Sequence, residues 1–261
     1  MTAILYSPFR FLGRMIFEGI VGVGEIFWLL FQVVLRIPLA RKNPELTIRQ
    51  MVSVGVSSIP LLFITSLFTG AVAAVQSEYN FRGLIPDRFV GTAVAKMVFI
   101  ELGPILTAIV LAGRVGSALA AEIGSMKNKE ELAAYDALNL DPLRYLALPR
   151  FLAFFFMVPC LSVLSSFLAI IGGWFTCVIG LDISSYTYYT GLQYLFDDMD
   201  LFSGIIKSFI FGVIIFLLGY YHGLNADAGA KGVGQATMKT VVSSCVSLLV
   251  FDFLTAVVIF S

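Results

Sequence analysis

The sequence is short of charge and almost without histidine: Lys, Arg, Asp and Glu make up 13% of it, and His222 is its only histidine. Basic and acidic residues balance at 17 each with no basic tail, which speaks against a nucleic-acid partner. The three cysteines, Cys160, Cys177 and Cys245, fall in apolar runs at spacings that suit neither a metal nor a redox pair. They read as small core residues, and no metal site is expected. His222, at the end of an apolar run, reads as polar packing rather than a ligand or proton relay. The Gly-rich GAKGVGQATMK at 229–239 lacks the spacing of a phosphate cradle and has no apolar strand before it. No nucleophile, base and orienting group recur close together, so the chain is not expected to be an enzyme. The start, MTAILYSPFRFLGRM, lacks the ordered basic, apolar and small-residue regions of a cleaved signal, so entry into the membrane by the chain's own helices is expected.

Apolar side chains are abundant instead. They make up 59% of the chain, with a mean hydropathy of +0.92. An ordinary soluble domain is roughly half apolar, so this is an all-α integral membrane protein. Residues 9–37 are apolar but interrupted by Arg10, Arg14, Glu18, Glu25, Gln32 and Arg36. At helical pitch these six fall within an arc of about 80°, a narrow polar stripe. The longest charge-free stretch, Ile26 to Leu35, is far short of the about 20 residues a span needs, so a helix lying in the membrane interface is predicted. Five spans follow: Gln50 to Ser77 with Pro60 as a bend, about Phe89 to Ile123, Phe151 to Leu181, about Leu201 to Tyr221, and Thr240 to Ser261. Residues 1–48 are thus the interfacial segment and 49–261 the five-span domain.

Positive charge decides the orientation. Arg10, Arg14, Arg36, Arg41, Lys42 and Arg49 lie on the same side as Lys127, Lys129, Arg144, Arg150, Lys231 and Lys239. The other side has Arg82 and Arg88 in one loop and only acids, Asp182, Asp197, Asp198 and Asp200, in the other. The N-terminus is predicted to be cytoplasmic and the C-terminus outside.

Three charges fall inside spans at a similar depth in the outer half: Glu101, Lys207 and Asp252. A lone charge at the bilayer centre costs about 2.5–3.5 kcal/mol even on lenient scales. One base and two acids on three spans therefore suggest a shared polar cluster or the lining of an outward-facing cavity, with a structural ion pair as the alternative. Arg114 and Glu122 lie toward the cytoplasmic end, Arg114 near enough to snorkel to the headgroups or reach a helix C-terminus. Around them Gly113, Ser117 and Ala121 recur at four-residue steps beside Gly116, Ala120 and Gly124, two strips that suit close helix packing. The following loop, SMKNKEELAAYDALNLDPLRYLALPR, predicts a short amphipathic helix over about 128–138, capped by Asn128 and ended by Asp141-Pro142. Glu130 and Glu131 suit its first turn, and Leu132, Ala133, Tyr135, Ala137 and Leu138 supply apolar surface beside Asp136. Such a helix on the basic side has the form of a docking element.

ELGP at 101–104, AGRVGSALAAEIGSM at 112–126, DPLRYLALPR at 141–150, GVGQATMKTVV at 232–242 and FDFLTAV at 251–257 together resemble the MlaE/YrbE permeases, membrane subunits of lipid ABC transporters that work with MCE proteins. The resemblance runs from about residue 50 to the end and keeps the family's motif order. It implies a homodimer of five-span subunits, each with an interfacial elbow helix, in the bacterial inner membrane. It also implies a cytoplasmic ABC ATPase that binds the ATP and Mg and receives residues 128–138, a periplasmic MCE protein, and a small cytoplasmic STAS-type accessory protein. This chain itself would need no cofactor. Glu101, Lys207 and Asp252 fall where the family has polar residues on the lipid path. Some relatives carry an arginine just before ELGP, where this chain has Ile100, so Lys207 becomes the expected contact for an anionic headgroup. A proton-coupled carrier using Glu101 and Asp252, or a structural membrane anchor, are the competing readings; the odd span number and the lack of an internal repeat weigh against the first.

Overall fold

The computed structural model describes residues 7–42, 44–81, 83, 85–194 and 197–260. Among them every regular element is helical. Helix α1, Ser7–Leu35, is followed by five helices long and apolar enough to cross a membrane. These are α2 (Pro44–Phe81), α3 (Arg88–Asn128), α5 (Leu143–Gly180), α7 (Asp198–Leu224) and α8 (Gly229–Phe260). Two short helices lie in the connections, α4 (Glu131–Ala137) between α3 and α5 and α6 (Ser185–Gln193) between α5 and α7. The chain is thus a multi-pass membrane protein. The side chains of Arg10, Arg14 and Glu18 in the polar stripe, and of Arg41, Lys42 and Arg82, lie outside the described residues.

Where a bend was predicted at Pro60, α2 has a 3-10 turn, Val56–Ser58, just before the proline. Proline has no N–H to donate and its ring crowds the carbonyl four residues earlier, so the helix tightens there. The spans extend beyond the predicted limits because their polar ends continue the helix past the apolar stretch. Helix α6 was not foreseen, since its sequence, SYTYYTGLQ, has no apolar period. It is capped by Ser184, whose Oγ accepts from Thr187 N at 3.1 Å, and it packs on the start of α3. Tyr188 anchors it, with its hydroxyl donating to Ile170 O at 3.1 Å. Burial, and secondarily Cys177, push this phenol above its ordinary range.

The core centres on α5 and α7, where Phe154, Val158, Phe211, Ile215 and Phe216 are buried, with Leu111, Ile123 and Leu248 from α3 and α8. A smaller cluster of Ala73, Val94, Val98, Cys177 and Tyr188 closes the acidic end. Helices α2 and α5 pack so closely that a Cβ on Gly70 would strike the Ala169 carbonyl, and one on Gly172 the Leu67 carbonyl. Ser66 and Ser165 hydroxyls meet across the same seam at 2.7 Å. Close approach through small residues is the usual route to association in lipid, where burial of apolar surface gives little drive. Helix α8 is the exception, with 11% of its apolar stretch buried against 33–56% in the other spans. The cysteines are free, but only Cys177 is a core residue; Cys160 is exposed on α5 and Cys245 is half-buried on α8.

Candidate functional site

Helix α3 is not a uniform α-helix. Gly103 N donates to Val98 O and Ser117 N to Ala112 O, which closes two wide π turns, at Val98–Leu102 and Ala112–Gly116. A third, Leu143–Ala147, opens α5, with Leu148 N donating to Leu143 O. The first precedes Pro104 and the third precedes Pro149, so the missing N–H and the ring clash account for the widening. The three turns carry Glu101, Arg114 and Arg144. Each accommodates an extra residue and so re-aims the side chains around it.

Glu101 is turned toward α7, where Lys207 Nζ lies 2.6 Å from its Oε1 and 3.0 Å from Asp252 Oδ1 on α8. The three charges expected at a common depth thus form one cluster. The lysine is wholly buried, whereas the Glu101 side chain is 38% exposed and that of Asp252 19%. The ammonium is within ion-pair distance of both carboxylates, so a fully buried cation is balanced by two acids on different helices.

A second pair, overlooked in the sequence, stands nearer the acidic end: Lys96 Nζ is 3.2 Å from Asp200 Oδ2. Asp200 is 6% exposed and also accepts from Asp197 N at 3.2 Å, within a capping box that starts α7. It lies seven residues before Lys207, two turns and about 10 Å along the same face. The readable signal was complementary order: base then acid on α3 (Lys96, Glu101), acid then base on α7 (Asp200, Lys207).

Toward the basic end the charges find partners individually. Arg114 donates to Ser58 Oγ at 2.5 Å, across to the 3-10 turn of α2, instead of reaching a helix C-terminus. Glu122 accepts from Arg150 Nη2 at 2.5 Å, and Arg150 is buried and donates also to Leu146 O at 2.8 Å. Asp141 accepts from Arg36 Nε at 2.6 Å with one oxygen and from Leu143 N at 3.0 Å with the other. It therefore caps the start of α5 and ties that start to the end of α1.

The two small-residue strips differ. Gly116, Ala120 and Gly124 face α7 and α8: a Cβ on Gly116 would meet Ile215 at 3.0 Å, and one on Gly124 would meet Ala226 at 3.1 Å. Gly113, Ser117 and Ala121 instead line an open groove of about 320 Å³ with Thr237, Met238 and Val241 of α8, and a Cβ on Gly113 would touch nothing within 4 Å. Only the first strip is a tight packing surface within the chain. The loop helix is also shorter than expected. Asn128 does not cap it but ends α3, its Nδ2 reaching Gly229 O at 3.5 Å. The chain turns at Glu130 in the left-handed region (φ 59°), and α4 ends at Ala137 before Asn139, which takes φ 54°. Asn tolerates that conformation, so it ends the helix before Asp141-Pro142 is reached. No residue of α4 is buried, and Leu138 beside it is 70% exposed. His222 packs against Ser243, Nε2 to Oγ at 3.0 Å.

Comparison with known proteins agrees with this architecture. Residues 47–258 match the family described as Permease MlaE. The chain is 32% identical over 253 residues, 95% of it and 96% of the relative, to the "Intermembrane phospholipid transport system permease protein MlaE" of Haemophilus influenzae. It is 38% identical over 227 residues to a "Probable ABC transporter permease protein" of Synechocystis, covering 87% of this chain and 86% of that one. A protein of the same description from Rickettsia felis is 37% identical over 210 residues, 80% of this chain and 81% of the relative. Five apolar helices in one bundle, the ELGP segment set by its π turn and a match over nearly the whole five-span region make this chain a member of the MlaE permease family.

Proposed function

We propose that the chain is the membrane subunit of an ABC transporter that moves phospholipid, or a related lipid, between the bacterial inner membrane and an MCE partner. A separate cytoplasmic ATPase would bind the ATP and Mg and drive it. The observation that carries this reading is the Glu101–Lys207–Asp252 cluster: a wholly buried cation between two carboxylates, one of them open to the outside of the subunit. A lipid phosphate brought to Lys207 would take the place of Glu101 as the anionic partner of the ammonium. Phospholipid is the cargo in the name of the Haemophilus relative.

The remaining parts follow from exposure and charge. Basic residues gather at one end of the spans, which supports a cytoplasmic N-terminus and a periplasmic C-terminus. Helix α4 projects at that end with no buried residue, which supports its docking in a groove of the ATPase, with Leu132, Tyr135 and Leu138 as apolar contacts. The weakly buried α8 and the open groove beside Gly113, Ser117 and Ala121 support a homodimer. A STAS-type protein would act on the cytoplasmic side.

Co-purification and reconstitution test the proposal. An ATPase should co-purify with the chain, hydrolyse ATP in the complex only when residues 128–138 are intact, and support transfer of labelled phospholipid. Lys207→Ala should abolish lipid transfer. Retention of transfer would refute the role of the cluster, and proton-driven transport by the isolated chain would refute the ABC reading.

A further inference from the structure

The seam between α7 and α8 holds two cavities, neither lined by Glu101, Lys207 or Asp252. At the basic end a polar cavity of about 210 Å³ is lined by Tyr221, His222, Asp227, Gln235 and Lys239, among others. Deeper along the seam an apolar cavity of about 400 Å³ lies beneath α1, walled by Phe27, Leu30, Ile214, Leu217 and Phe251 and with Ser247 as its single polar lining residue. The two are consecutive. Ser243, which bridges to His222 at 3.0 Å, stands one turn from Lys239 and one turn from Ser247 on α8. Tyr221 lines the polar cavity and donates to Glu25 of α1 at 3.1 Å, one residue before Ile26 and two before Phe27 in the wall of the apolar cavity.

Dimensions and charge identify the occupant. From Lys239 to Phe251 α8 rises twelve residues, about 18 Å. One leaflet contributes about 15 Å of hydrocarbon. A site polar at the membrane boundary and apolar for the depth of one leaflet has the shape of a single lipid. Lys239 and Asp227 line the same polar cavity, yet neither makes an ion pair among the described residues. An exposed cation and an exposed carboxylate that line one cavity without pairing to each other complement a ligand that carries both signs.

We propose that this seam binds one zwitterionic phospholipid with a primary-amine headgroup from the leaflet at the basic end. Its phosphate lies against Lys239, its ammonium against Asp227, and one acyl chain runs beneath α1. An anionic glycerol headgroup would leave Asp227 facing like charge, and a choline headgroup has no N–H to donate to it. This site is separate from the outer cluster, and its occupancy is read without an ATPase, so its failure and that of the transport reading are distinguishable.

The test is photo-crosslinking of the whole chain in nanodiscs of phosphatidylethanolamine, phosphatidylcholine or phosphatidylglycerol doped with a diazirine-acyl lipid of the same headgroup, mapped by peptide mass spectrometry. Labelling of 210–218 and 247–251 should exceed that of the exposed faces around Phe68 and Phe167, and should be strongest for the ethanolamine lipid. Loss of one charge-assisted contact in Lys239→Gln should reduce labelling by about tenfold at sub-saturating lipid. Asp227→Asn should erase the preference for ethanolamine over choline. Ser247→Trp should remove labelling of the groove while that near Phe68 persists, and Leu217→Trp provides the same block from the opposite wall. Equal labelling by all three headgroups, or labelling unchanged by both tryptophans, would assign the signal to bulk lipid and overturn the proposal.

Discussion

Neutralising the Glu101–Lys207–Asp252 cluster in stages separates its electrostatic balance from the transport role proposed for it. Lys207 is wholly buried and has two carboxylate neighbours, at 2.6 and 3.0 Å. Asp252→Asn alone leaves the shorter contact, so a small loss is expected. The double variant Glu101→Gln/Asp252→Asn strands a buried ammonium, and breaking a buried pair costs about 3–5 kcal/mol. For a chain of this size each kcal/mol shifts Tm by about 2–4 °C, so a fall of about 10 °C follows. Lys207→Met should cost a similar amount, because Asp252 Oδ1 is then buried with no counter-charge. The triple variant Glu101→Gln/Lys207→Met/Asp252→Asn removes every charge at once and should return to within a few degrees of the parent, since replacing a whole buried ionic group by neutral residues is often neutral or stabilising by about 1–4 kcal/mol. Thermal unfolding followed by size-exclusion in detergent gives the ranking, and lipid transfer by the reconstituted complex gives the function. A triple variant as unstable as Lys207→Met would refute the charge-balance reasoning. A stable triple variant that still transfers lipid would show that the cluster serves only to hold α3, α7 and α8 together.

Other outcomes follow from packing. Gly172→Ala should destabilise by about 1–3 kcal/mol, as overpacking does, because its Cβ would strike the Leu67 carbonyl, whereas Gly113→Ala should leave Tm unchanged. Leu138→Asp should not alter the melting of the isolated chain, since Leu138 is exposed, but should weaken ATPase association in a pull-down. Asp141→Ala should cost about 1 kcal/mol, typical of a lost helix cap, and increase protease cutting after Arg36, whose partner it removes. Above pH about 10, where an unfolded tyrosine ionises, the raised Tyr188 phenol stays protonated in the fold. Stability should therefore fall as pH rises through that range, and Tyr188→Phe should flatten part of the fall while lowering Tm at neutral pH.

The five spans were legible because hydrocarbon thickness imposes a length on apolar stretches that little else in a sequence mimics. The grouping of Glu101, Lys207 and Asp252 was legible through depth, since each could be counted from a loop. What depth could not supply was rotation about a helix axis. Three π turns re-aim Glu101, Arg114 and the start of α5, and a fixed helical period has no means of registering an extra residue. Hence Arg114 reached a serine on α2 that no pairing rule suggested, and the strips of small residues parted into one packed and one open face. Lys96 was readable but overshadowed, being near the edge of its span. The cap assigned to Asn128 failed because α3 continues through it, a continuation decided by contacts with the 226–229 turn rather than by local preference.

The wide turns also bear on how α3 carries load. A helix interrupted at Val98–Leu102 and again at Ala112–Gly116 acts mechanically as three short rods joined in series, with only Gly103–Leu111 as a regular middle piece. Glu101 and Arg114 stand thirteen residues apart, about 20 Å along the axis, and hold different partners, Lys207 and Ser58. Stability changes from substitutions at the two residues should therefore add, so that each end of α3 answers to its own neighbours.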